Sequence, residues 1–390
     1  MTGVLEGIRV LDFGRYIAAP FCGALLGDLG AEVIRIDREG GNDDRWVNPV
    51  TAKAEGSMFL QVNRNKKGIT LDFNTPEGRE ALNELLASTD VVITNMPMEA
   101  LKELGLDYDS LVKIKPDIIA TNVSAFGSVG QYRNRVGFDG LAQAMSGGMH
   151  LTGDGTTPTR MGIPWVDFGT SFCATIGTLA AIIERQKSGK GQKVEAALFH
   201  TALTVASGFL VEQALTAPNY RAIGNRSLTS GPNDCFKLKD GWLVCAVVGN
   251  GMFKRWCKLI GEPELFDDPR FKTDQLRGDH GHLLSEKMQR WCTSRTLAEA
   301  VAELEKGRVP CAPVLSPQQA LQDPHAAEEQ FFKKVEHPDL KKPAPLVATP
   351  FKLSRTPASI RHRAPKLDEH TEALVRQPKA RTAKASKAKA

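Results

Sequence analysis

Apolar and polar positions alternate in short blocks along the first third of the chain. Residues 7–13 (GIRVLDF) read as a buried strand, 20–29 as a helix and 31–37 (AEVIRID) as a second strand, which makes a compact βαβ unit. Residues 59–62 and 68–73 read as short strands around the polar turn 63–67. Thr75-Pro76-Glu77 is a helix start, with Thr as the cap and Pro at the first helical position, and that helix runs to about Ser88. Residues 91–94 and 118–123 are further strands, with helical pieces between them. This alternation predicts an α/β fold class: a Rossmann-like large domain built on a mostly parallel sheet with helices on both faces.

Beyond residue 124 the pattern lengthens. Asp167 precedes a long apolar helix over 168–186, Ser188-Gly189-Lys190-Gly191 ends it, and 192–197 return as a strand. A second long helix is expected from Leu198 to about Leu215. Residues 218–233, rich in Asn, Arg, Ser and Gly, read as a linker, and 234–238 and 242–247 flank Lys239-Asp240-Gly241 as a hairpin. Three helical stretches then complete a smaller α+β domain. The expected organisation is a large domain over 1–197, completed by 331–375, a helix and linker over 198–232, a small domain over 233–315, a linker over 316–330 and a disordered basic tail over 376–390.

Charge changes the picture only at that tail. The formal charge is +5, but Arg376, Lys379, Arg381, Lys384, Lys387 and Lys389 supply six positives, so the rest of the chain stands at −1. The basic balance therefore gives no reason to expect a nucleic-acid partner. The seven cysteines include no C-x-x-C pair, which argues for reduced thiols and a cytoplasmic protein. Residues 1–12 lack the basic start and apolar run of a signal peptide. The most apolar long stretch, 196–217, contains His200, Ser207, Glu212 and Gln213, so it is expected to be a buried or interface helix rather than a membrane span.

The first βα turn is the natural place for a dinucleotide. It reads Phe13-Gly14-Arg15-Tyr16-Ile17-Ala18, and of the three-glycine fingerprint only Gly14 is present. Asp37 sits where a ribose-binding acid would, or is a solvated strand end; Arg38 beside it offers a fork for a phosphate. The basic turn 63–67 is a candidate phosphate contact or an exposed tip. Residues 132–135 precede Gly137-Phe138-Asp139, a combination that suits a nucleotide wall and equally an ordinary loop. Asp167 has two compatible readings, an N-cap for its helix and a nucleophilic carboxylate that the helix N-terminus keeps ionised. Gly249-Asn250-Gly251 is a loop whose N–H groups could cradle an oxyanion. The eight histidines show no metal-ligand spacing, and the chain has neither a G-x-x-x-x-G-K loop nor a G-x-S-x-G elbow.

Several segments in order, among them LEGIRVLDFGRYIAAPFCGALLGDLGAEVIRIDREGGND, VNRNKKGITLDFNTPEG, SAFGSVGQYRNRVGFD, QAMSGGMHLTG and VDFGTSFCATIGTLAAIIERQKSGKGQKVEAAL, resemble the class III CoA-transferases of the CaiB/BaiF type, which include formyl-CoA and carnitine CoA-transferases. The likeness covers about residues 5–376. It implies transfer of CoA from an acyl-CoA, succinyl-CoA being one candidate, to a free carboxylic acid. It also implies no permanently bound cofactor and an interlocked homodimer. Asp167 matches the aspartate that carries the anhydride and the thioester. Ile17, Ala18, Arg38, Leu71, Asp72, Phe73, Asn95, Met96, Gly137, Phe138 and Asp139 match positions around the CoA, and Gly249, Asn250 and Gly251 match an active-site glycine loop. Three departures stand out: Asn95 is followed by Met-Pro-Met-Glu instead of Phe-Arg-Pro-Gly, a phosphate-binding arginine falls on Glu103, next to Lys102, and Asp167 is followed by Phe168-Gly169 instead of Ser-Asn. The last, with Ile17 in place of a glutamine, argues against formyl-CoA and oxalate as substrates. The racemases of the same superfamily carry a proton-moving histidine where Phe138 stands, and phenylalanine cannot accept a proton. A racemase and a non-catalytic CoA-binding protein remain the alternatives.

Overall fold

The computed structural model describes residues 3–50 and 55–376. Arg376 is the only residue of the expected basic tail among them, and 377–390 lie outside the described residues. The chain folds into two compact units. The first holds Met1–Ser146, Ile163–Val205 and Ala327–Ala390; the second holds Gly147–Gly162 and Ala206–Ala326.

The first unit is built on six parallel strands: β1 (Arg9–Asp12), β2 (Glu32–Asp37), β3 (Lys66–Thr70), β4 (Val91–Thr94), β5 (Ile119–Ser124) and β6 (Lys193–Ala197), in the order β3-β2-β1-β4-β5-β6. The apolar runs at the centre, VLD and VVIT, suit strands covered on both faces. Successive side chains alternate between two cores. Val10, Val33, Ile93 and Ile119 pack with α1 (Ala18–Asp28) and α7 (Trp165–Ser188). Leu11, Ile34 and Val92 pack instead with α3 (Pro76–Ala87), α4 (Met98–Leu104) and α5 (Tyr108–Ile114). Every residue of α1 is buried, and Gly23 is what lets it lie so close to the sheet: a Cβ there would come within 2.9 Å of the Asp12 carboxylate. The strand order reverses between β1 and β4, and a doubly wound sheet opens a crevice at that point, outside the carboxyl ends of its strands.

Two expectations fail locally. Residues 59–62 are not a strand but the end of a short helix, α2 (Ser57–Val62). Phe59 and Leu60 reach one cluster and Val62 another, and a four-residue apolar run carries no period that would have separated the two cases. The helix expected over 198–215 is two helices, α8 (Leu198–Val205) and α9 (Ser207–Thr216), interrupted at Ala206. Ser207-Gly208 opens the second, and a Ser/Gly pair is a common cause of such interruptions.

The second unit has a three-stranded antiparallel sheet, β7 (Asn233–Lys237), β8 (Trp242–Ala246) and β9 (Cys311–Pro313), with β7 and β8 paired as a hairpin. Phe236 and Leu243 from the sheet pack with Phe253 and Trp256 of α10 (Asn250–Leu259), Leu284 and Met288 of α12 (Gly281–Thr293) and Leu304 of α13 (Leu297–Lys306).

Candidate active site

The crevice rests on buried charge. Asp12, at the end of β1, accepts from Lys66 Nζ at 2.6 Å and from the Gly14 N–H at 2.8 Å. Burial pulls the Lys66 ammonium down to about 8 against the opposing pull of Asp12. Arg35 donates to Asp37, to Asp44, to the Gly14 carbonyl and to Asn63 Oδ1; Arg45 pairs with Asp37 and Glu55. Burial opposes the Asp37 charge, but Arg35 and Arg45 outweigh it and hold the carboxyl below its usual range. Asp37 is therefore neither a ribose ligand nor a solvated strand end. The basic turn 63–67 is not a phosphate site either: Arg64 is buried against Asp28 and Lys66 against Asp12.

On this base sits a strained first turn. Gly14 has no room for a side chain, since a Cβ would lie 2.7 Å from Asp12 Oδ1 and 2.8 Å from Ala19 Cβ. Tyr16 has a φ of 63°, a left-handed conformation uncommon for a non-glycine residue. Its neighbours fix it there. The Tyr16 N–H donates to Asp44, and the Asn95 side chain clamps Arg15 from both sides, accepting from its N–H at 2.9 Å and donating to its carbonyl at 2.8 Å. Such strain persists where surrounding structure over-determines it, commonly at functional sites.

Above the turn lies a cleft of about 600 Å³ at the carboxyl ends of β1, β4 and β5. Of the residues singled out in the sequence, Ile17, Ala18, Asn95, Met96, Gly137, Phe138 and Asp167 line it. Arg38, Leu71, Asp72 and Phe73 lie outside it. Arg38 is held by Asp43 and the Gly41 carbonyl, Leu71 is buried in the core, Asp72 closes the turn onto Asn74, and Phe73 packs on Phe13. Gly249, Asn250 and Gly251 belong to the second unit, where the Gly249 N–H donates to Asp274 and Asn250 accepts from Arg277. Arg133 and Arg135, from the 132–135 segment offered as a nucleotide wall, line it too, and so do Arg15, Tyr16 and the stretch 124–128, which sequence alone did not mark as site residues. The end of β5 was the available signal for 124–128, because a parallel sheet presents ligands to the carboxyl ends of its strands. Arg135 stacks over Phe126 and Tyr132, and Tyr16 meets Phe138 edge to face, so the rim combines guanidinium and aromatic surfaces.

Asp167 is not the N-cap of α7 but its third residue; the helix starts at Trp165. The cap is supplied from elsewhere in the chain. Asp139 opens α6 (Asp139–Met145), is buried, and its Oδ2 accepts from the N–H groups of Val166 at 2.8 Å and Asp167 at 3.2 Å, while Gln143 donates to its other oxygen. The N–H groups of the helix N-terminus therefore go to the Asp139 carboxylate, and among the described residues no donor reaches the Asp167 carboxylate. Burial, and then the Asp139 charge, push the Asp167 carboxyl up to about 7. Ser171 Oγ donates to the Asp167 and Ala18 carbonyls, tying the turn of α7 that carries Asp167 to the first βα turn. The result is a carboxylate facing the cleft and destabilised as an anion, the setting in which a carboxylate is a basic, poorly solvated group.

The model of CoA-transferase family III matches residues 5–371. The chain is 33% identical to a succinyl-CoA–D-citramalate CoA-transferase of Chloroflexus aurantiacus, over 94% of this chain and 92% of that one. It is 32% identical to a succinate–glutarate CoA-transferase of Agrobacterium fabrum, over 94% and 93%. A crystal structure of a CAIB/BAIF family protein from Brucella suis superposes with a TM-score of 0.85 at 31% identity, covering 96% of this chain and 99% of that one.

Proposed function

The chain belongs to CoA-transferase family III, and we propose that Asp167 is the carboxylate that carries the acyl and CoA groups in turn. An Asp167 oxygen attacks the thioester carbonyl of the donor. The C–S bond breaks, CoA leaves as the thiolate, and an aspartyl–acyl anhydride remains. The thiolate then attacks the aspartyl carbonyl, which expels the donor acid as its carboxylate and leaves an aspartyl-CoA thioester. The acceptor carboxylate runs the two steps in reverse. No net proton is consumed, and the acyl activation is passed on rather than lost to water.

One observation carries this reading: of the two carboxylates that line the cleft, Glu99 is exposed, whereas Asp167 is partly buried with no counter-charge, its neighbour Asp139 taking the helix N–H groups. Phe138, at the cleft wall, offers no base for moving an α-proton, which favours transfer over racemisation. CoA would follow the cleft from Asp167 toward the exposed cations Lys102, Arg133 and Arg135, which suit its phosphates. In this reading coenzyme A thioesters are substrates, with no resident cofactor. The relatives named for citramalate and glutarate support a small dicarboxylic acid as acceptor and succinyl-CoA as donor. Four of the seven free cysteines are buried thiols, which suits a reducing cytoplasm.

The acting form in this reading is an interlocked homodimer. Helix α9 has no buried residue although it carries Phe209, Leu210, Val211 and Leu215, and α7 leaves Ile176 and Ile183 largely exposed. Apolar faces of this kind suit cover by a second copy. A monomer at micromolar concentration in light scattering would remove that part of the reading.

The test of the chemistry is intact-protein mass spectrometry after mixing with succinyl-CoA and a panel of other acyl-CoAs. A CoA-sized adduct is expected on the wild type and not on Asp167→Asn. An adduct that persists in Asp167→Asn overturns the assignment.

A further inference from the structure

Among the described residues every fully buried guanidinium group has a carboxylate partner, and half-buried Arg15 has none. Arg35, Arg45, Arg64 and Arg277 are each fully buried, and each has a carboxylate: Asp37 and Asp44, Asp37 and Glu55, Asp28, and Asp274. Arg15 lines the cleft, is half-buried, and has its Nε sealed from solvent with no hydrogen-bond partner among the described residues. A buried donor left unpaired is costly, and proteins keep one where a ligand completes it. Arg15 is not left loose: Asn95 grips its backbone N–H and carbonyl, and the left-handed Tyr16 follows it. The Arg15 backbone is thus fixed while its Nε is unpaired.

The missing partner is an anion, and substrates of this enzyme carry two kinds. The phosphates of CoA are multiply charged and suit the exposed Lys102, Arg133 and Arg135. Arg15 differs from these in its burial, and its turn is tied by the Ala18 carbonyl and Ser171 Oγ to the turn of α7 that bears Asp167. The whole pantetheine arm separates the phosphates from the thioester, whereas the second carboxylate of a short diacid lies only a few bonds from the reacting carbonyl. A planar guanidinium fork also matches a carboxylate bidentately. We propose that Arg15 receives the far carboxylate of a dicarboxylic acyl group, so that the cleft selects thioesters and acceptor acids bearing a second acid function. This rests on the reading of Asp167 as the covalent carrier.

The experiment compares succinyl-CoA with butyryl-CoA, which has the same chain length and a methyl group in place of the far carboxylate. The rate of CoA-adduct formation is measured for each on the wild type, Arg15→Met and Arg15→Lys. The wild type is expected to favour succinyl-CoA by about 100-fold, Arg15→Met to bring the ratio close to one, and Arg15→Lys to fall between. A wild type without preference overturns the proposal. So does an Arg15→Met protein that slows both thioesters equally, which would place Arg15 on a part common to both, the CoA phosphates. If Arg15→Met does not fold, the wild-type ratio and Arg15→Lys decide. If no thioester labels the wild type, the Asp167 reading falls, and the same ratio taken from kcat/KM of overall transfer still judges Arg15.

Discussion

The turn after β1 separates two populations of charge. Beneath it, Asp12, Arg35, Asp37, Asp44, Arg45 and Lys66 are buried, and each is matched by an opposite charge within 3.1 Å. Above it, Arg15 keeps an unpartnered Nε, and the Asp167 charge is opposed by burial and by a second carboxylate, Asp139. Matched charge fixes a backbone: here it holds Gly14, and through Asp44 it holds Tyr16 in a conformation that residue rarely adopts. Unmatched charge stores interaction energy for a ligand. Arg15 stands three residues after Asp12, and the matched charges beneath are what hold its turn in place.

The sharpest way to break this contrast is to unmatch the lower population. Arg35→Met leaves Asp37 and Asp44 short of a partner in a buried setting, and about 3–5 kcal/mol of stability should go in urea unfolding. A loss below about 1 kcal/mol would show that the cluster is not what holds the turn.

Asp167→Asn is expected to act in the opposite direction, and only at high pH. The folded protein holds the Asp167 proton up to about 7, against 3.8 for the free side chain. The fold therefore favours the neutral form. No penalty exists below the ordinary carboxylate range; it grows as pH rises and is complete above about 7. The variant should match the wild type at pH 4 and exceed it at pH 9 by at most about 4 kcal/mol, read from unfolding curves at both pH values. Equal stability at pH 9 would mean that the anion is compensated after all.

The sequence made the parallel sheet legible because its strands are short apolar runs between helices, and it made Asp167 legible through resemblance rather than pattern. It hid the features that need three dimensions. The cap for α7 comes from Asp139, 27 residues before Val166, and no local capping signature can show that. The lysine and arginine of the 63–67 turn looked solvated because their partners, Asp12 and Asp28, lie far back in the chain. Arg15 carries no signal in a turn whose fingerprint is glycine, and its significance is a missing partner, which sequence does not display.

Asn95→Ala sharpens the comparison at smaller scale, since it removes both hydrogen bonds to the Arg15 backbone while leaving the ion cluster intact. The expected cost is about 1–2 kcal/mol in stability. The rate of adduct formation from succinyl-CoA should fall more than that from butyryl-CoA, because the guanidinium is then no longer held in place. Equal losses for the two thioesters would assign Asn95 a purely structural role.

The finest test lies in Asp139, which belongs to both populations. As a cap it is matched by the N–H groups of Val166 and Asp167; as a charge it presses on Asp167. Asp139→Asn keeps an oxygen for those N–H groups, removes the charge and gives up the acceptor for Gln143. Adduct formation in the wild type should rise with pH through about 7, as the Asp167 carboxylate forms. In Asp139→Asn the midpoint should move down yet stay above 3.8, because burial is the larger of the two causes and persists. An unmoved midpoint would leave desolvation as the whole source of the Asp167 shift. A midpoint that falls all the way to the ordinary range would mean that the second carboxylate, and not the cleft wall, tunes Asp167.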